Sequence, residues 1–128
     1  MTFEEFNAAV GRVSMELPDE LYYRLNGGIV VQPQEKLHPK SFPERPLYIA
    51  GEYTRDNAGR RVVLYYGSFL RLYGLLDETE AVEQIRRVLR HELRHHWESL
   101  SGERGLEIED ADRLDDYMER NKEKGELR

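Results

Sequence analysis

From Asp77 to Leu100 the chain runs without a proline or glycine. A helix of that length, rising about 1.5 Å per residue, is ~36 Å long, at least as long as a small domain is wide. A small sheet is expected to pack against it. Asp77 with Glu80 forms a capping box at its start, and Gly102 stands where a helix stop is expected after Leu100. At about 100° per residue, Val82, Ile85, Leu89, Leu93, His96 and Leu100 share one arc, which is the face that turns inward. His91, Glu92 and His95 fall on the border of that arc. Arg86, Arg90 and Arg94 step by four on the opposite side, where, with Glu83 and Glu98, they read as a solvated face of paired charges.

Upstream, Thr2 and Glu5 make a second capping box, and Phe3, Phe6, Val10 and Val13 recur at helical spacing until Pro18 interrupts. A shorter helical turn through Leu25 ends at Asn26-Gly27-Gly28, and Ile29-Val30-Val31 is the first strand. Four prolines between Gln32 and Pro46 deny regular structure to a loop that carries His38. Leu47 to Thr54 and Arg61 to Tyr66 are β-rich runs joined by Asp56-Asn57-Ala58-Gly59, which supplies hairpin chemistry. Ser68 is expected to cap a short helix through Leu72. A last helix is expected from about Leu106 to Asn121, with a charged tail from about residue 122 that frays. The pattern predicts one α+β domain over residues 1–128: a small twisted sheet of three or four strands packed against the long helix, with flanking helices.

Composition narrows the chemistry. The 128 residues carry a net charge of -6, so the long-range field repels phosphate polyanions and argues against nucleic acid as a partner. With no cysteine there is neither a disulfide framework nor a thiolate metal site. No stretch approaches the ~20 apolar residues of a membrane span, and Met1 to Glu16 lacks the apolar run of a signal peptide. The expectation is a cytoplasmic protein without a membrane partner.

His91-Glu92-Leu93-Arg94-His95 is an H-E-x-x-H pentapeptide within the long helix. Residues four apart lie one turn above another, so His91 and His95 can direct two imidazole nitrogens at one ion while Glu92 projects beside it. Zinc brings the pKa of a bound water to about 7, and an adjacent carboxylate can accept that proton and return it to a leaving amine. A catalytic zinc needs a third protein ligand. Asp110, Glu107 and Glu98 are the candidates, in that order: Asp110 and Glu107 share the inward face of the last helix, whereas Glu98 suits the rim of the site better. His96, in the middle of the apolar arc, reads as a buried neutral histidine. Tyr65 and Tyr66 precede Gly67 on alternate faces of their strand, so either is a candidate oxyanion or substrate contact. His38 is a further candidate contact from the loop.

The chain resembles the small bacterial zincin-like metallopeptidases, the mini-zincins, formerly a domain of unknown function. The resemblance spans nearly everything from Phe3 to Tyr117. Its carriers are His91-Glu92-x-x-His95-His96 with Glu98-Ser99 and Gly102, the segments Leu47 to Tyr53 and Val62 to Phe69, and Leu37-His38-Pro39. It implies a minimal zincin scaffold, one zinc per chain on His91 and His95, and Glu92 as general base. Many members show H-E-x-x-H-x-x-G-x-x-D, with the aspartate proposed as third ligand; here Glu98 replaces the glycine and Ser101 the aspartate.

These readings lead to a zinc-dependent metallopeptidase that hydrolyses peptide or protein substrates through a zinc-bound water activated by Glu92. The alternative is a catalytically weak or inactive zincin-like protein acting as a binding or regulatory module.

Overall fold

A computed structural model describes residues 1–104. Helix α1, Phe3–Glu16, begins on the expected capping box: Glu5 N–H donates to Thr2 Oγ1 at 3.1 Å, and Thr2 N–H donates to Glu5 Oε1 at 2.8 Å. Its buried residues, Phe6, Ala9, Val10 and Val13, fall at i, i+3, i+4 and i+7, the pattern of one helix face. A 3-10 turn, Asp19–Tyr22, follows Pro18. Strand β1, Gly28–Gln32, strand β2, Gly51–Asp56, and strand β3, Gly59–Tyr65, come next. They lead into α2, Tyr66–Tyr73, and the long α3, Glu78–Arg104. Among the described residues the elements form a small α+β unit with a three-stranded mixed sheet in the order β1-β3-β2.

β3 is central, parallel to β1 and antiparallel to β2. The β2–β3 hairpin closes on the Asp56↔Gly59 pair, with Asp56 Oδ1 accepting the Ala58 N–H at 2.8 Å. Alternation along β3 sends Val62 and Leu64 into a core built with Phe6, Ala9, Val10 and Val13 of α1, Phe69 of α2, and Ala81, Ile85, Leu89 and Leu93 of α3. Val63 and Tyr65 face the other way, toward the loop between β1 and β2. The helices thus cover one face of the sheet, and β2 lies at its edge beside α3.

Gly51 permits that approach. A Cβ there would stand 2.7 Å from Val88 Cγ1 and 2.9 Å from Leu64 Cδ2, so no larger residue fits between strand and helix without movement.

Three local expectations give way. Leu47 to Ala50 precede β2 instead of joining it, because residues 36–38 pair with 47–49: His38 N–H donates to Leu47 O and Ile49 N–H to Lys36 O, both at 2.8 Å. Ser68 is not a helix cap. Tyr65 is the N-cap residue of α2, and the fully buried Ser68 hydroxyl donates to Lys36 O at 3.0 Å and accepts Lys36 N–H at 2.8 Å. Gly67 presses against the same segment, since a Cβ there would lie 2.7 Å from Gln34 C and Glu35 N. The start of α2 therefore clasps residues 34–36. Finally, Gly102 does not end α3, which continues to Arg104.

The basic stripe on α3 is solvated only in part: Arg86 pairs with Glu83 at helical spacing, as expected, but Arg90 is drawn inward. Arg90 is 4% exposed, and Arg86 bonds Glu16 of α1 through Nε at 2.9 Å, because α1 packs alongside α3. The expected last helix and charged tail lie outside the described residues. No helix among the described residues is long and apolar enough to cross a membrane.

Candidate metal centre and cleft

One turn of α3 carries the histidine pair. The rings of His91 and His95 meet edge to face, centroids 4.6 Å apart and planes at 87°, with their Nε2 atoms 3.1 Å apart. Two Zn–N bonds of about 2.0–2.1 Å at a tetrahedral angle bring their nitrogens roughly 3.3 Å apart. The observed spacing fits a shared ion after a displacement of a few tenths of an ångström. Without an ion, it fits an N–H···N hydrogen bond between two neutral rings.

Glu98 does not serve as the third ligand in this arrangement. Its Oε1 lies 3.3 Å from His95 Nδ1, on the opposite side of the imidazole from the nitrogen that faces His91. Asp110 and Glu107 lie outside the described residues. Among the described residues, no group of three or more His, Asp or Glu side chains is arranged to hold a metal.

Glu92 occupies the junction of α3 and β2. It is 7% exposed, far less than the two histidines that flank it, because β2 covers it. Burial pushes its carboxyl up to about 7; the nearby Glu52 carboxylate adds to the rise, while His95 and the donated Tyr53 N–H oppose it. A carboxyl that titrates near neutrality can both take and give a proton there.

A cleft of about 580 Å³ opens over this junction, lined by Ile49, Gly51, Glu52, Tyr53, Arg55, Glu92, His95 and Ser99. On the same cleft, both oxygens of Glu52 accept hydrogen bonds from Lys36 Nζ, at 2.6 and 2.8 Å. Arg55 Nη1 at 2.8 Å and Arg60 Nη1 at 3.0 Å both donate to Ser99 Oγ. The motif on α3 does not announce Glu52, Tyr53, Arg55 or Ser99. The one available signal was Gly51 within a β-rich run, since a strand glycine often marks a close approach of another element.

Two of the three proposed substrate contacts are not at the cleft, and the third reaches it indirectly. Tyr65 is buried on the sheet face away from α3, and its hydroxyl donates to Glu52 at 3.2 Å, so it touches the cleft only through that carboxylate. Tyr66 turns toward α1: its ring packs on Phe3 and Phe6, and its hydroxyl donates to the Met1 carbonyl. His38 remains in the loop, where its Nδ1 accepts the Lys40 N–H at 3.0 Å. It does not line the cleft.

His96 faces away from the His91–His95 pair. It is fully buried, with Nε2 2.7 Å from Tyr23 O and Nδ1 2.9 Å from the Tyr53 hydroxyl. A carbonyl can only accept, so Nε2 carries the proton and Nδ1 accepts from Tyr53. Burial holds its pKa below the ordinary histidine range.

A conserved hypothetical protein of known structure from Thermus thermophilus shares 32% sequence identity with this chain; the match covers 79% of this chain and 98% of that protein, with a TM-score of 0.66. The chain belongs to that protein's family. The small α+β fold, which in this chain holds a three-stranded mixed sheet, is therefore shared with a solved relative. No protein-family model and no curated protein matches the chain.

Proposed function

We propose that this protein is a zinc-dependent metallopeptidase of the mini-zincin type. One observation carries the reading: two imidazole Nε2 atoms converge to 3.1 Å on a helix whose intervening Glu92 is buried at the floor of a cleft. His91 and His95 would hold one zinc ion, with a third ligand from outside the described residues. When bound, zinc would supply Lewis acidity toward a carbonyl oxygen and toward water.

Glu92 is the proton carrier. Its carboxylate would take a proton from the attacking water and deliver it to the departing amine. β2 is an edge strand and lines the cleft through Gly51, Glu52, Tyr53 and Arg55, so an extended peptide substrate can lie along it beside the histidine pair. A cytoplasmic location belongs to the same reading and is supported by the absence of cysteine.

Metal analysis of the purified protein, paired with the Glu92→Gln variant, tests the proposal. The expected result is about one zinc per chain in both proteins, with hydrolysis of an unstructured peptide in the parent and a loss of at least ~100-fold in the variant. Protein that holds no zinc, or peptide cleavage unchanged by Glu92→Gln, overturns it. Zinc binding without cleavage in the parent favours the binding-module reading instead.

A further inference from the structure

We propose that Glu98 is a positioning residue that sets the tautomer and orientation of His95, an inference that rests on the zinc reading above. Ionised Glu98 only accepts hydrogen bonds, so at 3.3 Å from His95 Nδ1 it selects the form of the ring that carries its proton there. His95 Nε2 is then a bare lone pair, and it is the atom that faces His91 Nε2 at 3.1 Å.

Two bare nitrogens at that distance would repel, so in the metal-free protein His91 supplies the shared proton from its own Nε2. The pair is asymmetric: His95 is already in the form that binds a cation, while His91 must move its proton from Nε2 to Nδ1. Carboxylate partners of this kind fix ring orientation and raise ligand basicity in metal sites, and their removal typically weakens metal binding about 10–100-fold. The acid here comes from three residues further along the same helix, so it costs the fold no extra element.

Nitrogen-15 NMR of the metal-free protein at pH 8, together with zinc affinity measured by chelator competition, tests the proposal in the full chain. The expected spectrum shows His95 protonated on Nδ1 and His91 on Nε2. Glu98→Ala should shift His95 toward the Nε2-protonated form and weaken zinc binding about tenfold or more. Glu98→Gln keeps an acceptor oxygen without the charge and should restore the tautomer and most of the affinity.

If Glu98→Ala leaves the tautomer and the affinity unchanged, positioning is overturned. If Gln behaves as Ala does, the contribution of Glu98 is charge alone, and positioning is again overturned. Absence of zinc binding in the parent would sink the metallopeptidase reading, while the tautomer measurement would still decide the role of Glu98.

Discussion

The Tyr53 hydroxyl stands 2.9 Å from His96 Nδ1, joining the edge strand of the sheet to the inward face of α3 beneath the cleft. The other ring nitrogen of His96 bonds Tyr23 O at 2.7 Å, so one fully buried imidazole ties together β2, α3 and the segment after α1. Tyr53→Phe removes the hydroxyl bonded to Nδ1 and leaves a buried acceptor unmet. A loss of about 1–3 kcal/mol is expected from urea denaturation. A change below about 0.5 kcal/mol, the level of ordinary surface substitutions, would contradict the bond.

Glu92 and His96 give stability opposite dependences on pH. Glu92 rises from 4.5 to about 7 on folding, so between those values the folded chain binds more protons. Its contribution is most favourable below about pH 4.5 and is lost as pH rises through 7. His96 is held below its ordinary 6.5, so its contribution is complete above that pH and fades as the medium becomes more acidic. Glu92→Gln should therefore stabilise the metal-free protein at pH 8 by about 3 kcal/mol, with the gain shrinking toward zero near pH 4.5. Thermal melts of both proteins across that range measure it, and a gain independent of pH would count against a buried ionisable Glu92.

Gly51→Ala should separate β2 from α3. The added methyl would meet Val88 Cγ1 at 2.7 Å and Leu64 Cδ2 at 2.9 Å, and neither lies at the end of a long flexible chain. Overpacking of this kind costs about 1–3 kcal/mol. The same shift would move Glu92, so peptide cleavage and stability should fall together. Unaltered stability in a denaturation curve would show that the interface has slack.

Much of the helical part was legible because its signals are local. Thr2 with Glu5 and Asp77 with Glu80 mark their helix starts by side chains three residues from the groups they bond. The buried arc of α3 followed from period alone, including the inward His96. Elements that depend on distant partners were not readable in this way. Ser68 looked like a cap, yet its hydroxyl bonds Lys36, 32 residues away. The start of β2 was placed at Leu47 because nothing nearby shows that residues 36–38 would pair with that stretch. Arg90 looked solvated, yet the fold leaves it 4% exposed. The motif named His91, Glu92 and His95, but the cleft also needs Glu52 and Ser99, and only the order β1-β3-β2 brings β2 to α3.

Tyr66→Phe separates the two tyrosines that precede Gly67. The hydroxyl of Tyr66 bonds the Met1 carbonyl beside α1, and Tyr66 does not line the cleft. The variant should lose about 1 kcal/mol of stability and keep zinc content and peptide cleavage within about twofold. A large loss of cleavage with stability intact would return Tyr66 to the substrate site.

The clasp of α2 on residues 34–36 has an evolutionary consequence. A proline-rich connection such as 32–46 ordinarily tolerates insertions, but one placed before Lys36 would slide its ammonium out of register with Glu52, a carboxylate that lines the cleft. Length variation among homologues should therefore concentrate at 39–46, beyond the clasp, while the spacing from Pro33 to Lys36 stays constant.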